Sequence, residues 1–503
     1  MKHIVIIGGG ITGLAAAHRL LERSQELRKQ VQVTLLEAGT QPGGIVQTRE
    51  RDGFLLERGP DSFLSEKPQA LELSRRLGLE SRLIETNENH RRSFIVRKGR
   101  LLPVPEGFHL LAPGSLWPFI TSGIFSWQGK ARMAMDLLLP RGRVNGAADG
   151  NTDNSGDESL ADFVRRRLGR EALERMAQPM VGGIYTADPE QLSLRATMPR
   201  FLEMEREHRS LIRALHKQGI PSIGGEAKSA TSGARYSLFL SFDRGMQVLT
   251  DKLEERILEY KFQIASGGSS PQVSIRTNTT VESLTLEGGD ELPRWILKTG
   301  GNETLTADAV CLALPGHVSA RLLRNVNAQL ASELDAITYA SSATINLAFK
   351  RADIPHPLDG FGFVVPFIEK RSLIACTFSS IKFCGRAPDG YALLRTFVGG
   401  TLQPDMLDLP EADLISRVRD DLRDLLGIER PPVFSELTKW EHSMPQYHVG
   451  HLEKVQRIEQ RVALLPNITL AGNAYSGLGI PDCIRSGEAA ADVLFSATLC
   501  SRG

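Results

Sequence analysis

Ile4-Val5-Ile6-Ile7 runs straight into Gly8-Gly9-Gly10-Ile11-Thr12-Gly13, and this junction constrains the fold more than any other feature of the chain. The β-branched run reads as a buried parallel strand. Leu14 to Leu21 follows as a helix with small residues on one side, and Val31 to Leu36 as a second strand ending at Glu37. Strand, G-x-G-x-x-G, helix, strand and acidic end appear in the order a dinucleotide-binding βαβ unit requires. Gly8 permits the tight turn, Gly10 lets backbone N–H groups approach a pyrophosphate, and Gly13 lets the helix pack close to the sheet. The helix start supplies partial positive charge. Glu37 suits ribose hydroxyls and repels a 2′-phosphate.

NAD and FAD share this fingerprint. Beyond Glu37 come Pro42-Gly43-Gly44 and then Gly53 to Pro60, with Gly59 at the second turn. These glycines suit close approach to a long flat cofactor, or simply two turns around a hairpin; the residues alone leave both readings open. At the other end, Asn467 to Ala474 reads as a strand running into Gly472. A second glycine turn, Ser476 to Cys483, leads into a helical pattern from Ile484 to Phe495. A second strand, glycine turn and helix start therefore recurs there, as expected of a sheet assembled from both chain ends.

Composition narrows the class. Of 503 residues, 41% are hydrophobic and 24% charged, which excludes a disordered chain and a polytopic membrane protein. Sixty basic against 59 acidic residues leave no field for nucleic acid. Five cysteines, none in C-x-x-C spacing, argue against a disulfide framework or a zinc site. The apolar run before Gly8 is too short for an export signal. A cytoplasmic protein is expected.

Specific segments resemble the FAD-dependent protoporphyrinogen and coproporphyrinogen oxidases of the flavin amine oxidase superfamily. They are Val5 to Leu14, Gly53 to Pro60, Leu470-Ala471-Gly472 and Gly477 to Cys483. Met444-Pro445-Gln446-Tyr447-His448-Val449-Gly450-His451 is similar to the family's M-P-Q-Y-x-V-G-H segment. Gly182-Gly183-Ile184-Tyr185-Thr186-Ala187-Asp188-Pro189 is similar to its G-I-Y-A-G-D-P segment. The likeness runs from Met1 to about Val493. Two positions depart: Ile45 stands where a basic residue is common, and Ala187 where glycine is common.

The resemblance implies an α+β / α/β architecture with a Rossmann-type FAD-binding domain built from separated segments (1–87, 236–314, 461–503). It adds a mixed-sheet substrate domain (88–111, 200–235, 315–460) and a helical domain (112–199). It implies FAD contacts at Gly8, Gly10, Ile11, Thr12, Gly13, Glu37, Ala38, Gly43, Gly44, Gly59, Pro60, Asp61, Val281, Gly472, Gly479, Ile480 and Pro481. The implied reaction takes a porphyrinogen to its porphyrin, with O2 as acceptor and hydrogen peroxide released. A flavin oxidase needs no metal and few catalytic side chains, because the cofactor carries the chemistry.

A large flat substrate with rim carboxylates needs apolar walls and a few cations. Candidate walls are Phe363, Ile374 and Phe397 on late strands; candidate carboxylate partners are Arg91, Arg92 and Arg195. Gly182 and Gly183 admit close backbone approach, or else stop a helix. Asp61 is a candidate for attracting pyrrole protons, and equally for an N-cap. Tyr447 and His451 carry a motif without an assignable step. The stretch Leu110 to Trp127, followed by Lys130 and Arg132, suits either helical core or a peripheral membrane contact. Contact with the next enzyme of the heme pathway is a further candidate. Arg141 to Ser159 and Gln218 to Ser237 read as polar loops. An amine oxidase or carotenoid desaturase, and a flavin scaffold without activity, are the competing readings. The motif wording leans toward the coproporphyrinogen branch.

Overall fold

The computed structural model describes residues 1–109, 111–141, 156–218, 239–260, 272–288 and 293–500. The two polar loops expected around residues 150 and 230 lie largely outside them, as does Leu110.

Five parallel strands form the first layer, in the order Gln272–Arg276, Val31–Leu36, Lys2–Ile7, Ala309–Leu312, Ile468–Leu470. Successive side chains on a strand point to opposite faces, and the first strand shows it. Ile4 and Ile6 enter the core under the helices Ile11–Leu27, Gln247–Glu259 and Ile480–Phe495. Val5 and Ile7 face the other way. There they meet the helices Gly316–Leu323, Ala328–Asp335 and His451–Val462 and the antiparallel strands Val281–Glu287 and Arg294–Thr299. A Cβ on Gly487 would sit 2.2 Å from the carbonyl oxygen of Thr12, so this glycine lets the two long helices touch.

A seven-stranded sheet forms the second layer, ordered Phe434–Pro445, Tyr339–Lys350, Tyr391–Gly399, Ala375–Phe378, Gly362–Val364, Phe94–Arg97, Arg100–Pro103. Only the Gly362–Val364 and Phe94–Arg97 pair is parallel. The helix Glu411–Leu426 covers one face through Leu414, Val418, Leu422 and Leu425. This sheet contains two twelve-residue strands, where the sequence reads as short strands.

A third unit is helical. Ser159 caps the Leu160–Arg167 helix, its Oγ accepting from the Asp162 amide at 3.0 Å. Two sets of contacts cross the expected domain ranges. Phe201, Met204, Leu211 and Leu215 pack with the helical core. Leu322, Leu330, Val455 and Ile458 pack on the parallel sheet. Among the described residues no helix is long and apolar enough to cross a membrane.

Candidate active site

The carboxyl ends of the central parallel strands all open on one edge, where the helices at Ile11 and Ile480 begin. Both helices have glycine N-caps, Gly10 and Gly479, with no side chain closing their first amides. A Cβ on Gly10 would meet nothing within 4 Å. That open space before uncapped amides fits the pyrophosphate of a dinucleotide. Gly8 (φ +105) makes the turn, and a Cβ on Gly13 would lie 1.9 Å from the Gly8 carbonyl oxygen. Gly43 donates to Gly9 O at 2.8 Å, and a Cβ on Gly44 would approach Gly10 Cα at 3.1 Å, so this turn lies against the cradle. Ile11 and Thr12 form the first turn of the helix and are buried.

Glu37 ends the second strand with both oxygens held, accepting from Gly9 N and Gly39 N at 2.7 Å each. Ala38 lies between Glu37 and Gly39. The Asn278 and Thr279 amides return to the Gly39 and Glu37 carbonyls at 2.8 Å, and Val281 follows as a buried residue. Gly472 (φ +133) leaves the last strand, and its amide meets Ser486 Oγ at 3.0 Å. Pro481 and buried Ile480 open the second helix.

The seven-stranded sheet grips the segment ending at Asp61. Asn346 Nδ2 donates to Glu57 O at 3.2 Å. Thr344 Oγ1 and Trp440 Nε1 donate to Arg58 O at 3.1 and 2.8 Å. Arg395 donates to Gly59 O. A Cβ on Gly59 would collide with Ile45 O, so the two turns are in direct contact. After Pro60 comes Asp61, which pairs with Lys382 Nζ at 2.8 and 3.0 Å and accepts from Ser62 Oγ at 2.7 Å. Burial alone would raise its carboxyl, but Lys382 and Arg395 hold it well below the usual carboxylate range. It is a fixed anion. The next helix starts at Pro68 with Lys67 as its N-cap residue, so Asp61 caps nothing. Glu57 is buried, its carboxyl accepting from Thr48 Oγ1 and Met246 N at the start of the Gln247–Glu259 helix.

Along Tyr391–Gly399, Ala392, Leu394 and Val398 face the apolar layer under Glu411–Leu426. Arg395 and Phe397 therefore share the opposite face, the guanidinium 4.7 Å above the ring. Farther on, Gly399 and Gly400 line a shallow, partly open cleft with Gln178, Gly182, Thr186, Arg371, Ile374 and Gln403. The helix Gln178–Tyr185 continues through both Gly182 and Gly183, so neither stops it. A Cβ on Gly182 would touch Ile374, and one on Gly183 would touch Val364 at 3.6 Å.

Phe363 does not line this cleft. It is buried in the layer beneath Glu411–Leu426, on the far face of the sheet, and its neighbour Val364 faces the glycines. A one-residue difference reverses the face. Arg92 lies just before the strand Phe94–Arg97; it pairs with Asp359 and covers the ring of Phe94, which belongs to that same layer. Arg91 pairs with Glu88 at 3.1 Å, and Arg195 with Glu453.

Sequence reasoning missed Lys382, Arg395, Val364 and Trp440. Arg395 carried a signal, a charge at the centre of an apolar strand. Lys382 carried none, because its role depends on a partner 321 positions away.

Residues 11–494 match the family described as flavin containing amine oxidoreductase. The coproporphyrinogen III oxidase of Bacillus subtilis (strain 168) is 34% identical over 490 residues, covering 97% of each chain. The coproporphyrinogen III oxidase of Propionibacterium freudenreichii subsp. freudenreichii is 35% identical over 520 residues, 99% of this chain and 91% of that one. A crystal structure assigned provisionally as a protoporphyrinogen oxidase, from Exiguobacterium sp. 255-15, superposes with a TM-score of 0.81. It is 30% identical and covers 98% of both chains.

Proposed function

The chain belongs to the flavin containing amine oxidoreductase family, and on that footing we propose that it is an FAD-dependent porphyrinogen oxidase. The substrate is coproporphyrinogen III, the product its porphyrin, and O2 the final acceptor, reduced to hydrogen peroxide. The two coproporphyrinogen III oxidases of 34 and 35% identity support that choice over protoporphyrinogen IX.

One observation carries the reading. The strand face holding Arg395, Phe397 and Gly399 runs from the segment beside the dinucleotide cradle to the glycine-lined cleft. Four residues of strand span about 13 Å, the breadth of a flat macrocycle rather than of a small amine. When bound, the flavin supplies hydride acceptance from a bridge carbon. The protein's share is placement. Gly10, the first turns at Ile11 and Ile480, and Glu37 hold the dinucleotide. Phe397, Ile374 and Val364 wall the ring and keep water out, while Gly182 and Gly183 let backbone approach it. Asp61, kept ionised by Lys382 and Arg395, can accept a hydrogen bond from a pyrrole N–H. It cannot retain the released proton at neutral pH, so that proton leaves to solvent.

Aerobic turnover of coproporphyrinogen III and protoporphyrinogen IX by the FAD-loaded protein, followed by porphyrin fluorescence, tests the reading. Faster turnover of the former is expected. No oxidation of either, with FAD bound, would end it. The wall assignment is checked by two variants. Val364→Phe is expected to raise KM about fivefold or more, a loss of roughly 1 kcal/mol, with little change in melting temperature. Phe363→Ala is expected to cost about 3–5 kcal/mol of stability and leave KM near wild type. The reverse pattern would place the pocket on the other face.

The helical unit also fits a peripheral membrane contact. Trp117 and Trp127 are 75% and 74% exposed, beside exposed Leu116 and Ile120. Lys130 lies 4.4 Å above the Trp127 ring. Phe119 and Phe125 of the same stretch are buried, so the stretch serves both core and surface. The two exposed tryptophans suit the headgroup level, while Lys130 is buried and donates to Ile120 O at 2.6 Å. Co-sedimentation with phosphatidylglycerol vesicles is expected, and should be lost in the Trp117→Ala, Trp127→Ala double variant. Equal pelleting of both proteins would count against the contact.

A further inference from the structure

The segment Met444 to His451 takes no part in the proposed chemistry, yet it touches both halves of the site. On the flavin side, the Tyr447 phenol donates to Asn473 O at 2.6 Å and accepts from Gly477 N at 2.9 Å. It thereby closes the glycine turn that precedes the Ile480 helix. The His451 ring stacks on Tyr447, with centroids 3.9 Å apart and planes at 12°. Its Nε2 lies 3.1 Å from Tyr475 O, a carbonyl, so Nε2 carries the hydrogen. Burial keeps this imidazole neutral. Asn473, Tyr475 and Gly477 are thus held from one side by two buried rings.

On the substrate side the same residues use other atoms. Tyr447 O accepts from Ser193 N at 2.8 Å, and Val449 N donates to Gln191 O at 2.9 Å. Gln446 Nε2 donates to Tyr185 O at 3.2 Å. Tyr185 ends the helix that carries Gly182 and Gly183. Gly450 N and Ser193 Oγ both donate to Asp157 Oδ2, at 3.1 and 2.7 Å. Tyr447 and Gln446 are each 3% exposed, so neither can move without disturbing its partners.

We propose that residues 446–451 form a rigid staple that couples seating of the flavin to the shape of the substrate pocket. Tyr447 and His451 are positioning residues toward the flavin, and Gln446 toward the substrate. The proposal rests on the FAD and porphyrinogen reading above. A displacement of the 473–477 turn must move Tyr447, and through its main chain the 185–193 segment. Coupling of this kind is reciprocal: each ligand strengthens the other by the same factor. A contact that only held the fold together would lower the melting temperature of its variants and leave that factor unchanged.

Calorimetric titration of FAD into the flavin-free full-length protein, with and without saturating coproporphyrin III, measures the factor. The converse titration checks its reciprocity. In the wild type, porphyrin is expected to tighten FAD about fivefold or more, and FAD to tighten porphyrin equally. Gln446→Leu removes the bonds to Tyr185 O and Met444 O and none to the 473–477 turn, and is expected to leave FAD affinity without porphyrin within about twofold. Its coupling factor should fall toward one, what is left being carried by the main-chain bonds to Ser193 and Gln191. Tyr447→Phe is expected to weaken FAD by itself about fivefold or more and also to abolish the coupling. No mutual effect in the wild type would overturn the staple while leaving the functional reading intact. Full coupling in both variants would assign it to direct contact between the two ligands and would equally overturn the staple. Failure of the wild type to bind FAD at all would remove the functional reading, and the staple with it.

Discussion

Flavin-free Gly10→Ala protein is expected to fold with wild-type stability and to bind FAD roughly a hundredfold more weakly, a loss of about 2.7 kcal/mol. Gly10 has φ −67 and ψ 177, which alanine adopts without strain, and its Cβ would enter open space. That space is where a pyrophosphate would meet the first amides of the Ile11–Leu27 helix. A methyl group there blocks the approach and forfeits charge-assisted bonds of about 1.5–3 kcal/mol. Gly13→Ala should behave differently. Its Cβ would fall 1.9 Å from Gly8 O and 3.3 Å from Ala313 Cβ, all inside the fold. Helix and sheet must then separate, at about 1–3 kcal/mol of stability, and the amides leave their place, so FAD is lost as well. Thermal denaturation without flavin, with FAD titration alongside, distinguishes the two. Wild-type FAD affinity in Gly10→Ala would mean that the pyrophosphate does not sit at this helix start.

These two glycines also show what was legible in the sequence. Gly8, Gly10 and Gly13 lie in one short stretch, so spacing alone states their roles. The strands and helices at both chain ends were readable for the same reason, because each is set by local periodicity and a local turn. Phe363 and Val364 were not separable, since both are apolar and the face each takes depends on strand pairing. The pairing of Phe363 with Cys376 and Phe94 settles it. Lys382 was invisible beside Asp61 because the contact joins distant segments. Glu57 sits in a family-like segment, and its carboxyl anchors a helix start by accepting from Met246 N and Thr48 Oγ1. Tyr447 had a motif and no chemistry. Its role appears only when Asn473 and Gly477 are folded against it.

Stability is expected to fall steeply on mild acidification, by roughly 3 kcal/mol for each of two buried histidines between about pH 7 and pH 4. His18 and His451 are 4% and 2% exposed. Burial pushes the pKa of each down to about 4; Arg76, Arg256 and Arg19 add to the effect at His18, and Lys454 and His448 at His451. Unfolded, each titrates near 6.5. Between those values the unfolded chain binds protons that the folded chain refuses, so stability rises with pH across the window and is fully present above it. Glu22 and Glu57, whose carboxyls burial pushes up, oppose this just above the ordinary carboxylate range. Asp61 adds to the loss only at still lower pH, because its folded value is depressed. Near pH 5 the two histidines together should give a slope approaching about 2.7 kcal/mol per pH unit. Urea denaturation at several pH values measures it. His451→Gln keeps an N–H for Tyr475 O and removes one titrating group, so it should halve the slope. A total loss of about 6 kcal/mol is comparable to the entire stability of many domains. Destabilisation is therefore expected to begin before most carboxylates are protonated, and unchanged stability down to about pH 5 would show that these imidazoles are not held neutral.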